Sequence, residues 1–189
     1  FETLKAVGAA SFASLTLLAM ASTFTFFQVL PHFPVGVSEV HFILGSTLFL
    51  IFGAAPAAFG LALGLLLQGV LFAPADLPKY FINVTTLLVP LFAVAAMAKR
   101  IIAPNTAYID LTYIQALKLS TTYQAGVVAW VSFWAFYGQG FGAENIAAVT
   151  SFGAAYMLVI LIEPIADLAV LAGAKSLNSL EKTGLVQSR

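Results

Sequence analysis

Leu30-Pro31-His32-Phe33-Pro34-Val35-Gly36-Val37-Ser38-Glu39-Val40-His41 holds both histidines of the chain, two prolines and one acid between two long apolar arms. No formal charge occurs from Ala6 to Ser38, and none from Val40 to Ala75. Neither Pro31 nor Pro34 donates a backbone hydrogen bond, and each restrains the residue before it, so a helix arriving from the amino-terminal side stops here. The stretch is a polar joint where two hydrophobic segments meet. If the arms cross a bilayer, the joint lies at one membrane face and presents His32, Glu39 and His41 to whatever arrives there.

The composition decides that the arms do cross one. With 61% hydrophobic and 8% charged residues, and a mean hydropathy of +0.99, the chain lies far from the soluble balance of about a quarter charged residues. A span needs about 20 mainly apolar residues, and several windows reach that length. Their apolar runs are continuous and lack the alternation of barrel strands, which predicts an all-α, polytopic transmembrane bundle of about six spans. Residues 1–189 read as a single integral membrane domain. Zero net charge argues against a nucleic-acid partner. The absence of cysteine removes disulfides, thiolate metal sites and cysteine nucleophiles together.

Outward from the joint, the first span is expected over about Val7 to Val29. Its apolar run continues through Phe26 and Phe27, longer than the core of a secretory signal. Ala6, Ala10 and Ser14, with Ala9 and Ala13, place small residues on faces that another helix can approach closely, inside this protein or in a partner subunit. On the other side, Val40 to Phe52 is a marginal span, followed by a break at Gly53-Ala54-Ala55-Pro56 with Pro56 as the first residue of a new helix. That third span, to about Phe72, carries Gly60 and Gly64 at a four-residue step, a tight packing face. The two segments read as a helical hairpin with an uncharged turn. Ala73 to Lys79 is a loop by its prolines and charges. A fourth span runs from about Tyr80 to Ala98, with Asn83 at its head and Pro90 inside. Ile101 to Lys118 is mixed in polarity, and Asn105 or Thr106 could cap a short interfacial helix there. The fifth span, about Leu119 to Tyr137, ends in Trp134, Phe136 and Tyr137, which read as interfacial anchors. A glycine-rich loop to Asn145 leads to a sixth span, about Ile146 to Ala172, and the tail from Lys175 is polar.

Alternating spans place Lys5, Lys99, Arg100, Lys118, Lys175, Lys182 and Arg189 on one side and Lys79 alone on the other. By the positive-inside rule the first side is cytoplasmic. His32, Glu39, His41, Asn83 and Glu144 then converge from three outer loops on a capture site. Neutral imidazoles suit nickel, cobalt, copper or zinc, although two are too few for a complete site, and each taken alone reads as an interfacial hydrogen-bonding residue before it reads as a ligand. Gly138-Gln139-Gly140-Phe141-Gly142 lacks the preceding strand and the following Lys-Ser/Thr of a phosphate loop. Glu163 and Asp167, one turn apart in the last span, are an intramembrane acid pair that pairs with Lys175 or with a neighbouring chain, or serves a function of its own. No Ser-His-Asp set, Walker motif or HExxH is present, so nothing points to an enzyme.

Phe33 to Gly45, Phe52-Gly53-Ala54-Ala55-Pro56-Ala57-Ala58, Leu67-Gln68-Gly69-Val70-Leu71-Phe72 and Ile82-Asn83-Val84 together resemble the CbiM/NikM family. These are the substrate-binding membrane components of energy-coupling-factor transporters for cobalt and nickel. The resemblance implies capture of Co2+ or Ni2+ as transported substrate, in the cytoplasmic (inner) membrane of a bacterium. It also implies partners: a coupling transmembrane subunit and ATPase subunits, since the chain has no ATP-binding motif. The family's metal site is made by a Met-His amino terminus and a later histidine, which His41 matches. His32 has no matching ligand and is a weaker candidate. An upstream helix carrying Met-His is therefore expected to precede Phe1. Ser38, Glu39 and Asn83 fall to the surrounding shell, where Glu39 stands in a segment that more often reads Ser-Gly-His, and Thr86 takes a position usually held by Asn. A nitrogen-only set with an amide donor favours square-planar Ni(II), with cobalt its close competitor. The competing expectation is a structural or accessory subunit that keeps the fold inside a larger membrane complex, with the aromatic fifth span facing a partner.

Overall fold

The computed structural model describes residues 7–182. Helix α1 (Ala9–Gln28) forms from an uninterrupted apolar run and ends two residues before Pro31 can disrupt it. Its polar side chains are satisfied within the helix: the hydroxyls of Ser22, Thr23 and Thr25 donate to the carbonyls four residues earlier, at 2.9, 2.8 and 2.9 Å.

The joint folds as a hairpin, with β1 (Phe33–Val35) antiparallel to β2 (Ser38–Val40) and Pro34 opposite Glu39. Gly36 takes φ +59° and Val37 does not take a positive φ, the pattern of a type II′ turn, which asks for Gly at its first central position. A second demand falls on the same residue, because a Cβ there would strike the Ala148 carbonyl.

From the hairpin the chain descends through the bundle in two halves. Gly36 lies against Ala148 and Phe152. The Ile43 and Leu44 amides reach Glu163, Ser46 and Thr47 reach Asp167, and Leu50 packs against the cluster of Leu111, Ala116 and Leu171. These neighbours advance along one helix from 148 to 171, about 34 Å at 1.5 Å per residue, which matches the hydrocarbon thickness of about 30 Å. The segment is thus a full crossing made of an extended entry and a short helix, α2 (Gly45–Phe52). This corrects the expectation of a helix from Val40, since the helix starts five residues later.

Gly53, at φ +83°, joins α2 to α3 (Ala54–Leu71), so Pro56 is the third helical residue and not the first. Both positions lie in the first turn, where a missing amide hydrogen costs nothing. Gly60 and Gly64 do form the tight face: a Cβ on Gly60 would collide with Ala19, and one on Gly64 would stand 2.7 Å from the Thr23 Cβ. α1 packs here through Thr16, Ala19, Thr23 and Phe27, which leaves Ala9, Ala10, Ala13 and Ser14 exposed. Of the small stripe, Ala6 lies outside the described residues.

Pro74–Lys79 is a 3-10 helix and not an irregular loop; two prolines at 74 and 78 fix φ in the helical range. It leads into α4 (Tyr80–Ile101). The stretch after it turns at Asn105, φ +62°, and makes a single 3-10 turn at Tyr108–Asp110. The expected cap at Asn105 or Thr106 is not made. Thr112 caps instead, sharing a capping box with Gln115 at the head of α5 (Tyr113–Gln139). Gly126 of α5 lets Pro90 of α4 approach, a Cβ there lying 2.9 Å from the proline ring. α6 (Ala143–Lys182) continues as helix through the segment read as a polar tail; residues 183–189 lie outside the described ones.

Four segments are long and apolar enough to cross a membrane: Ala9–Gln28, Ala54–Leu71, Pro74–Ile101 and Ala143–Ser179. α5, at 27 residues, has the length but buries Ser120 and Gln124 against its neighbours. The core joins Phe27, Leu48, Leu61, Leu91, Leu119, Tyr123, Phe152 and Tyr156 from all six helices. Helix directions put Lys99, Arg100, Lys118, Lys175 and Lys182 toward the end away from the hairpin, and Lys79 at the hairpin end.

Candidate functional site

Asp167 and Glu163 sit on the buried face of α6, 4% and 0% exposed. They pair neither with Lys175, whose ammonium lies over the Tyr113 ring at 5.6 Å, nor with any other cation among the described residues. Glu163 Oε1 accepts from the Ile43 amide at 2.6 Å and from the Leu44 amide. Leu44 takes φ +49°, which turns the two successive amides toward one point, an anion-binding nest. Asp167 accepts from Ser46 Oγ at 2.6 Å and from Thr47 Oγ1. Two carboxylates thus hold the amino-terminal end of α2, where its dipole favours negative charge. The acids are a clamp on the broken span, and the clamp fixes what lies just before it: His41.

His41 faces a cavity of about 560 Å³ that opens at the hairpin end. Its walls come from five directions: Ser38 and Glu39 of β2, Gln68 of α3, Asn83 and Thr86 of α4, Trp134 of α5, and Tyr156 of α6. The His41 side chain is 12% exposed. Phe27 covers one face of its ring, with centroids 4.6 Å apart, and His32 stacks on it at 5.3 Å and 21°. Its Nε2 lies 3.1 Å from Glu39 Oε2, within hydrogen-bond distance. Nδ1 is enclosed and meets no partner.

The residues singled out in the sequence do not all arrive together. His41, Glu39, Ser38 and Asn83 share the cavity, and so does Thr86. His32 touches His41 but does not line the cavity; its Nδ1–H donates to the Leu30 carbonyl at 3.1 Å. Stacked rings direct their in-plane lone pairs side by side, so two such imidazoles do not converge on one ion. Asn83 makes no hydrogen bond to either imidazole and does not cap α4, whose cap position is Lys79. Glu144 lies in the first turn of α6, favourable to the helix dipole, and not in the cavity wall. Among the described residues, no three His, Cys, Asp or Glu side chains gather as a metal cluster.

Gln68 escaped the sequence reading as a site residue, although a lone amide in the apolar α3 is a readable signal. It is 7% exposed and faces the cavity at membrane depth. Trp134 shows a second role for the aromatic end of α5. Trp130 and Trp134 both donate from Nε1 to Thr85 Oγ1 at 3.2 Å and so tie α5 to α4, while Tyr137, 76% exposed, faces outward. The glycine loop before α6 is a tied turn, with Asn145 Nδ2 donating to Ala135 and Gly140 carbonyls at 3.0 and 2.7 Å.

Residues 3–179 match the family described as the cobalt uptake substrate-specific transmembrane region. Neither curated proteins nor solved structures give a match.

Proposed function

Because the chain belongs to the CbiM family of cobalt uptake transmembrane proteins, we propose that it is the metal-capture component of an energy-coupling-factor transporter and takes Co2+ as substrate at His41. The observation that carries this is a largely buried imidazole, 12% exposed, at the wall of a cavity open at one end of a helical bundle. An imidazole nitrogen is a suitable donor to Co2+. Ni2+ is the competing substrate. His41 supplies one donor, and the amino-terminal Met-His that the family resemblance implies would supply others.

The hairpin end is the outer face and the basic end cytoplasmic, a reading supported by the distribution of Lys and Arg. Capture moves nothing by itself. The exposed Ala9, Ala10, Ala13 and Ser14 of α1 offer close approach to a coupling membrane subunit, and ATPase subunits would act through it. The membrane is the inner membrane of a bacterium, crossed by one integral domain.

Equilibrium dialysis of the purified full chain against 57Co2+ in excess Mg2+ tests the capture step. About one ion retained per chain is the expected result. No retention above a detergent blank would contradict the proposal.

A further inference from the structure

Residues 39 and 41 are two apart on an extended backbone, so their side chains leave the strand on the same face. Both line the cavity, and Glu39 Oε2 stands 3.1 Å from His41 Nε2. Two donors bound at right angles to one divalent ion, each about 2.0–2.2 Å from it, are themselves about 3 Å apart. The observed separation is the bite of such a pair. Nδ1 of His41 is enclosed, so the ring can meet an ion only through Nε2. Resting on the capture reading above, we infer that Glu39 is a direct ligand of the captured ion, which sits to the side of the Glu39 Oε2–His41 Nε2 line, in reach of both atoms, and makes the site a mixed nitrogen and oxygen set.

The proton balance is simple. In the empty site the neutral ring carries its hydrogen on Nε2 and donates it to the carboxylate. When the ion enters, the hydrogen passes to Nδ1, Nε2 turns its lone pair to the metal, and no net proton is released. Nδ1–H then has no acceptor, which weakens retention of the ion and favours its later release. His32 does not compete for the same ion, because its ring is stacked on His41 and stands outside the cavity wall.

A carboxylate also acts on selectivity. Amide and imidazole nitrogens together favour square-planar Ni2+, whereas a weaker-field carboxylate oxygen suits an octahedral ion and removes part of that advantage. Glu39 therefore moves the site toward Co2+.

The test titrates Co2+ and Ni2+ into the full chain carrying Glu39→Gln, Glu39→Ala or His41→Ala, and records the visible absorption of bound Co2+. Ligation by Glu39 predicts that Gln and Ala both lower Co2+ affinity by more than about tenfold, with a smaller loss for Ni2+ and a changed Co2+ spectrum. If Gln preserves affinity and spectrum while Ala does not, Glu39 only holds the ring through a hydrogen bond, and the inference is overturned. Wild-type affinity in both Glu39 variants overturns it as well. The capture reading fails separately, if His41→Ala keeps wild-type Co2+ affinity.

Discussion

His41 packs against the Phe27 and His32 rings with the Glu39 carboxyl group at its Nε2. A metal competes with protons for imidazole and amine donors, so Co2+ affinity of the full chain should fall by about tenfold or more between pH 7.5 and 5.5, and calorimetric titration at the two pH values checks this. Asn83 belongs to the same scale. It shares the cavity without touching a ring, so Asn83→Ala is expected to weaken Co2+ binding by about tenfold, the low end for an outer-shell group. Because Asn83 is not a cap, the melting temperature of the metal-free protein should stay unchanged, and a clear drop would assign it to helix stability instead. That His41, Glu39 and Asn83 come together was legible from the sequence, and they line one cavity; that His32 stands behind His41 was not, because stacking depends on how the hairpin folds back over α1.

The broken second crossing is the element on which the site depends. Its extended half places amide groups at membrane depth, which is tolerated only where they find partners or line a cavity, and Glu163 supplies the partner. Leu44 adds the cost of a left-handed residue, about 1–3 kcal/mol, so the carboxylate contacts have something to offset. Glu163→Ala removes the acceptor that meets two amides beside a helix amino-terminal end. An expected loss of about 1–3 kcal/mol should appear as a lower melting temperature. Faster proteolysis between residues 40 and 53 should accompany it, together with weaker Co2+ binding, since His41 lies two residues before Ile43. Equal stability and protease resistance would show that Glu163 is no clamp. The apolar run from Val40 to Phe52 could not reveal this element. Its register is set by Glu163 and Asp167, about 120 residues away, and a continuous apolar stretch reads the same whether extended or helical. By contrast α1, α4 and the Gly60 and Gly64 face were legible, because length, prolines and small-residue spacing are local signals. The start of α5 was missed for a local reason: Thr112 with Gln115 is a capping box, and Asn105 takes a left-handed backbone conformation in a turn instead of a cap.

At the scale of the whole molecule, the six helices put both ends of the described bundle at the basic end and the cavity at the other. Cysteines introduced at Ser38 and Ser179 should accordingly react with an impermeant maleimide from opposite faces of the membrane, with Ser38→Cys labelled in intact cells. Labelling of both from outside would reverse the assignment of the cavity as the capture side. The all-helical bundle was legible from hydropathy. The convergence of hairpin, α3, α4, α5 and α6 on one cavity was not, since it requires the inward path of residues 36–44 along α6. Capture at His41 is what these levels jointly support. Isothermal titration of Co2+ into the full chain and into His41→Ala, at matched melting temperature, addresses it most directly. The account predicts a single tight site in the first and loss of more than about a hundredfold in affinity in the second; equal affinity in the two would contradict it.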